Sequence, residues 1–116
     1  MRTLVIVDAQ NEFSPAGKRP VPNHADAITA IQRRIDEARA NDRPIAWVRH
    51  HNQPHEWPAF EPGAWGAELS PGFGAANGRD LEREFEKNVF GAFTGSNLGA
   101  WLEEIGSNEV LIAGFY

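Results

Sequence analysis

Short apolar runs alternate along the chain with segments of helical periodicity, and this alternation predicts the fold class. Residues 3–7, 44–49 and 109–115 are apolar runs typical of strands buried on both faces of a sheet. Residues 24–40 and 97–105 carry apolar side chains at helical spacing. This order favours an α/β fold with a parallel sheet and right-handed crossovers. We expect a three-layer, doubly wound, Rossmann-like arrangement.

The boundaries of these elements carry recognisable signals. Asn23 is a plausible N-cap of the first helix, Thr94 or Ser96 of the second, and Gly106 is a suitable C-terminal stop. Arg83–Lys87 could be a short strand, although its weak periodicity also allows a helical turn. The long irregular stretch 50–80 is of a kind that is usually functional in a compact domain.

Composition narrows the class of protein. At 116 residues the chain is one domain or part of one, and 41% apolar residues are enough for a core. A net charge of −5 with scattered basic residues gives no reason to expect nucleic-acid binding. No apolar run approaches the roughly 18 residues of a membrane span, and no signal-peptide pattern precedes the first strand. We therefore expect a cytoplasmic location, and the absence of cysteine excludes disulfides within these residues.

The last predicted strand suggests that the folding unit is larger. Its continuous apolar run suits a central strand covered on both sides, yet no helix follows it here. Residues 1–116 are therefore expected to be the N-terminal portion of a single domain. About two further βα units, roughly 30 residues each, would complete it.

Three motifs fall at the ends of predicted strands. The first, D-x-Q-x-x-F, spans residues 8–13, and the second, similar to K-x-x-x-S-A-F, spans 87–93 with Gly91 where serine is common. The third begins at 114–116 with the first residues of a G-x-x-T-x-x-C pattern. In this order and spacing the chain resembles the isochorismatase-like cysteine hydrolases, which include isochorismatases, nicotinamidases and N-carbamoylsarcosine amidases.

The resemblance implies a Cys-Asp-Lys triad. Asp8 would act as general base and proton shuttle, and Lys87 would stabilise the charges. A thiol needs such neighbours because it is poorly ionised at neutral pH. The cysteine would lie four residues beyond Tyr116. A cis peptide at Phe115–Tyr116 would present a backbone N–H to the oxyanion.

The resemblance also suggests pocket residues. These are Gln10, Phe13, His51 and Trp65. Metal-binding nicotinamidases tend to carry D-x-H after the second strand, whereas this chain reads Arg49-His50-His51-Asn52, without that acid. We therefore expect no metal and no cofactor, although His50, His51 and His55 could in principle reach a metal ion.

Together these features predict a hydrolase of a small molecule, with a C–N amide bond as the first choice and an ether bond as the second. We expect a homo-oligomer that needs the C-terminal remainder of the domain, carried either on the same chain or on a separate one. The alternative is a catalytically inactive small-molecule-binding or scaffold protein on the same fold. A phosphatase is disfavoured because Gln10 replaces the second acid of a D-x-D motif.

Overall fold

A computed structural model of the chain describes residues 2–53, 55–56, 58–76, 79–88 and 96–115. These residues form a parallel sheet of β1 (Arg2–Val7), β2 (Ile45–His50), β3 (Glu82–Lys87) and β4 (Glu109–Gly114). Helix α1 (His24–Ala40) joins β1 to β2, and α2 (Leu98–Glu104) precedes β4. Short 3₁₀ turns lie at Asn11–Phe13 and Trp65–Ala67. Neither α1 nor α2 has the length and apolar character needed to cross a membrane.

The strand order is β3-β2-β1-β4, so the direction in which strands are added reverses at β1. Val7, the last residue of β1, pairs with Val48 on one side and with Gly114 on the other. In parallel α/β sheets, ligands bind beyond the carboxyl ends of the strands at such a reversal. The fold therefore places the end of β1 at the preferred position for a site.

Apolar side chains cover both faces of the sheet, which makes three layers. One cluster packs α1 against the sheet through residues such as Ile6, Ile35 and Trp47. The other packs α2 against the opposite face and includes Val48 and Trp101. The predicted α/β, three-layer fold class is confirmed.

Most element boundaries agree with the sequence pattern, but the capping of α1 does not. Asn23 precedes α1, yet its backbone is left-handed (φ 56°) and its side chain makes no capping hydrogen bond. Before α2, Ser96 Oγ accepts a hydrogen bond from the Leu98 N–H at 3.4 Å; Thr94 lies outside the described residues. Gly106 ends α2 as predicted, with a φ of 72° that favours glycine.

Segment 82–87 is a strand, and a buried acid anchors its first residue. The carboxylate of Glu82 accepts two hydrogen bonds from Arg39, at 2.8 and 2.9 Å, and lies 3.0 Å from Arg79 Nε. It also accepts one from the Trp47 indole at 3.2 Å. This network ties β3 to the C-terminal part of α1 and to β2.

Strand β4 is covered on one face and open on the other. Leu111 and Ala113 pack against the core on the α1 side. Val110 and Ile112 point to the α2 side, where they are 42% and 58% exposed. The described part of the chain thus leaves an apolar strip on β4 at the edge of the sheet.

Candidate active site

A sharp turn after β1 places Asp8 at the carboxyl edge of the sheet. The Asp8 N–H donates to the Val48 carbonyl at 2.9 Å, and the Asp8 carbonyl accepts from the Gln10 N–H at 2.8 Å. The backbone of Asp8 is left-handed (φ 59°), a conformation that aspartate tolerates better than most residues. Its side chain is buried at the point where the strand order reverses.

Lys87, the last residue of β3, reaches Asp8 across the end of β2. Lys87 Nζ lies 3.2 Å from Asp8 Oδ1 and 3.4 Å from Oδ2. Only 3% of Lys87 and 5% of Asp8 are exposed, so this ion pair is shielded from water. The structure thus brings together the two residues that the motifs single out as catalytic.

The surroundings of Asp8 influence its charge in opposite directions. Burial raises the pKa of the Asp8 carboxyl, whereas the Lys87 ammonium lowers that pKa by its charge and its hydrogen bond. Burial is the larger effect, so the pKa lies above the usual 3.8. A carboxyl with a raised pKa beside a cation is suited to accept a proton and return it.

The side chain of Gln10 is fully buried and hydrogen-bonds the backbone of two segments near this pair. Its Nε2 donates to the carbonyls of His50 and Ala67, each at 2.8 Å. Its Oε1 accepts the His50 N–H, also at 2.8 Å. Gln10 therefore joins the end of β2 to the 3₁₀ turn at Trp65–Ala67, and its side chain is 0% exposed.

Four ring-bearing residues from separate segments are joined by ring contacts in a largely buried cluster, here called the aromatic wall: His24, Phe13, Phe60 and Phe115. Phe13 lies 5.1 Å from Phe60 and 5.3 Å from Phe115 between ring centroids, and His24 stacks on Phe115 at 5.2 Å. Phe60 meets the ring of His50 edge-on at 5.4 Å. This contact links the aromatic wall to the residue that pairs with Lys87 in the sheet.

Phe60 holds an unfavourable backbone conformation within the aromatic wall. Its φ of 50° is a genuine outlier for a bulky residue, and such strain persists only where the surroundings enforce it. The Phe60 N–H donates at 2.7 Å to the buried carboxylate of Glu12, which also accepts the Lys18 N–H at 2.8 Å. Glu12 thus holds Phe60 in place, a role that the sequence pattern gave no reason to assign.

Of the remaining predicted site residues, His51 lies beside Lys87, and its N–H donates to the Lys87 carbonyl at 2.8 Å. His51 Nδ1 lies 3.5 Å from Glu86 Oε2, and both residues line a cavity of about 230 Å³ with Lys87 and Asn88. Burial lowers the pKa of the His51 imidazole. Trp65 is half exposed. Tyr116, and with it the predicted cis peptide, lies outside the described residues.

The histidines at the end of β2 and beyond it form no metal-binding group within the part of the chain that the structure describes. Among the described residues, no group of three His, Cys, Asp or Glu side chains is placed to hold a metal ion. Arg49 instead approaches Glu86 at 3.1 Å and Glu84 at 3.8 Å. The expectation that the protein needs no metal or cofactor stays a prediction.

Comparison with known proteins identifies the family. The model of the Isochorismatase domain matches residues 2–116, so the chain belongs to the isochorismatase family. The isochorismatase family protein YddQ of Bacillus subtilis is 26% identical over 113 residues, which cover 96% of this chain and 60% of YddQ.

Solved structures of the same fold match almost the whole chain. An isochorismatase from Pseudomonas putida is 31% identical with a TM-score of 0.85, and the match covers 98% of this chain and 56% of that one. N-carbamoylsarcosine amidase from Thermoplasma acidophilum is 23% identical with a TM-score of 0.86, covering 97% and 66%. The chain thus spans about 60% of the length of these relatives.

Proposed function

We propose that the chain supplies the acid and the cation of a hydrolase that cleaves a C–N amide bond in a small molecule. The observation that carries this proposal is the buried ion pair between Asp8 and Lys87 at the reversal of strand order. A charged pair removed from water costs free energy, and such pairs are concentrated at functional sites. Membership of the isochorismatase family supports a hydrolase, and the amide bond is the finer part of the proposal.

In this proposal a cysteine from the remainder of the domain is the nucleophile. The Asp8 carboxylate accepts the thiol proton, and the thiolate forms a bond to the amide carbon. The C–N bond then breaks as Asp8 returns the proton to the leaving nitrogen. Water hydrolyses the resulting thioester to the acid and regenerates the thiol, while Lys87 stabilises the negative charge at each stage.

The raised pKa of Asp8 suits this carboxyl to donate a proton to the leaving group. An amine leaves an amide readily only when its nitrogen is protonated, and a carboxyl whose pKa lies above the usual range is a better proton donor near neutral pH.

The C-terminal remainder of the domain is part of this proposal. The relatives are longer than this chain, and the apolar strip of Val110 and Ile112 offers a surface for further structure on the α2 side. Apolar side chains this exposed in an edge strand are usually covered in a native protein. We propose that the strand and helix following residue 116 cover them.

The test is ammonia release by the protein comprising this chain and its remainder. We expect release from at least one member of a panel of small aromatic and carbamoyl amides. Asp8→Asn should reduce that rate about 100-fold or more, because it removes the proton shuttle. Asp42→Asn is the matched control, since Asp42 is also an aspartate in a left-handed conformation (φ 52°) but is exposed on the surface.

Two results would contradict the proposal. Undiminished turnover by a folded Asp8→Asn variant would remove Asp8 from the mechanism. A folded parent protein that binds members of the panel but releases no ammonia would favour the alternative, a catalytically inactive binding protein on this fold.

A further inference from the structure

The register between β2 and β3 places His50 directly opposite Lys87. His50 Nδ1 lies 3.4 Å from Lys87 Nζ, and His50 is 8% exposed. Among the described residues, Lys87 Nζ therefore lies within reach of both the Asp8 carboxylate and the His50 ring. The motifs assign no role to His50.

The chemistry of the ammonium group determines which form of His50 fits here. An ammonium has three N–H donors and no acceptor, so the ring nitrogen facing it must offer a lone pair. The ring proton then resides on Nε2, which lies 2.7 Å from Asn52 Oδ1 and donates to it. A doubly protonated ring would instead place an N–H against the ammonium.

We propose that His50 is a positioning residue for Lys87: as a neutral imidazole protonated on Nε2, it accepts a hydrogen bond from Lys87 and directs the ammonium toward Asp8. A lysine side chain is a flexible four-carbon stem, and a single hydrogen-bond acceptor leaves its ammonium group free to change position. A second, uncharged acceptor restricts Nζ without neutralising it. The full positive charge thus remains available to Asp8.

Several contacts keep the His50 ring in this orientation. Gln10 binds both the N–H and the carbonyl of His50. The Asn52 N–H donates to the Phe60 carbonyl at 3.0 Å, and the Phe60 ring packs edge-on against His50. The strained backbone of Phe60 therefore contributes to the placement of Lys87 through Asn52 and His50.

The catalytic consequence rests on the hydrolase proposed above, whereas the hydrogen-bond arrangement does not. The hydrogen-bond arrangement is tested directly by a long-range ¹H–¹⁵N correlation spectrum of the protein carrying ¹⁵N-labelled histidine. We expect His50 to show an unprotonated Nδ1 and a protonated Nε2. A protonated Nδ1 would overturn the proposal whether or not the protein hydrolyses amides.

A second measurement follows the ¹³C chemical shift of the Asp8 carboxyl carbon as pH is varied. The pH midpoint of that shift is the titration midpoint of the Asp8 carboxyl. His50→Phe keeps the packing against Phe60 but removes the acceptor, so the ammonium is less well held and the Asp8 midpoint should shift upward. His50→Asn offers an amide oxygen near the position of Nδ1 and should restore the parent midpoint. An equal upward shift in both variants would mean that the midpoint follows the charge of His50 and not its role as an acceptor, and would overturn the proposal. His55→Phe, at an exposed histidine, should leave it unchanged.

An Asp8 midpoint in His50→Phe equal to that of the parent would show that His50 does not direct Lys87. If His50→Phe fails to fold, the histidine spectrum of the parent protein decides the question alone. Loss of amide hydrolysis in His50→Phe with rescue by His50→Asn would extend the positioning role to catalysis. Absence of hydrolysis in the parent would count against the proposed function only.

Discussion

Asp8 illustrates how a single residue can be costly to the fold and useful to a site. Its carboxylate is withdrawn from water, and burial raises its pKa more than the nearby ammonium of Lys87 lowers it. In the native state the charged form is therefore less favourable than in the unfolded chain. Lys87 is the group that keeps this penalty within limits.

Lys87→Met is expected to destabilise the protein by about 3 kcal/mol at neutral pH, because it leaves the buried Asp8 charge without a counterion. Without Lys87 the pKa of Asp8 rises further. A group with a raised folded pKa stabilises the fold when protonated and loses that contribution as pH rises. The deficit should therefore be larger at pH 7.5 than at pH 5 in urea unfolding experiments.

Lys18→Met is the control for this measurement, since Lys18 is 55% exposed and lies 3.9 Å from Glu61. Exposed pairs of this kind contribute less than about 1 kcal/mol. An equal deficit for Lys87→Met at both pH values would contradict the charge-based explanation.

At the residue scale, the two members of the ion pair can be predicted from the sequence, whereas the residues that hold the pair and the aromatic wall in place cannot. Asp8 and Lys87 were recognisable because their motifs together resemble those of a hydrolase family; neither residue would have been assigned a role alone. The sequence suggests His50 only as a possible metal ligand. Its position two residues after Val48 places it on the same face of the sheet as Val48, opposite Lys87. Glu12 gave no signal, because a buried acid satisfied by backbone N–H groups looks like any polar loop residue in sequence.

The two edge strands of the sheet differ in how they meet solvent. β3 carries alternating charges, and a strand edge rich in charge resists pairing with other chains. β4 is apolar, with Val110 and Ile112 exposed. The charged strand β3 can remain in contact with water, whereas we expect the apolar strand β4 to be covered by further structure.

The Glu82 network predicts a pH-dependent contribution to stability from β3. Burial opposes the charge on Glu82, but hydrogen bonds from Arg39, the Ala76 N–H and Trp47 bring its pKa below the ordinary 4.5. A lowered folded pKa gives stability that is present above the unfolded value and is lost as pH falls through the folded value.

Glu82→Gln should therefore cost about 2 kcal/mol at pH 7, less than a fully buried pair because Arg39 and Arg79 are 30% and 22% exposed. The difference from the parent should shrink as pH is lowered below 4.5. Glu84→Gln, at a half-exposed position of the same strand, should change stability by less than about 0.5 kcal/mol. A pH-independent deficit in Glu82→Gln would contradict this account.

At the element scale, the apolar runs predicted β1, β2 and β4, and helical periodicity predicted α1 and α2. β3 was less evident because two of its buried positions hold Glu82 and Lys87, so the pattern there is not apolar. Their partners, Arg39 and Asp8, are distant in sequence, and no local pattern reveals that these charges are paired.

For the whole molecule, the described sheet has a well-covered centre and an open side at β4. Strand order was not predictable from local patterns, since any arrangement of four parallel strands has the same periodicity. The order that the structure shows puts β4 next to β1 and brings Phe115 against Phe13. The aromatic wall is thus a product of topology.

If further structure covers β4, Ile112→Ala in the protein with its remainder should cost about 2–5 kcal/mol, as for a buried isoleucine. Chemical denaturation would measure this, with Ile35→Ala, at a 1% exposed position, as the core reference. A change within about 0.5 kcal/mol would mean that Ile112 stays in water in the native protein and that the proposed cover is absent.

The pairing of Val7 with Gly114 also bears on how the protein is made. During synthesis β1 leaves the ribosome before the other strands described here. It pairs with β2 on one side, but its partner on the other side, β4, emerges more than 100 residues later. At typical synthesis rates that interval is roughly 5–20 s. During it, the flank of β1 beside Asp8 remains unpaired, so nascent chains of this protein should depend on chaperones that shield exposed strands.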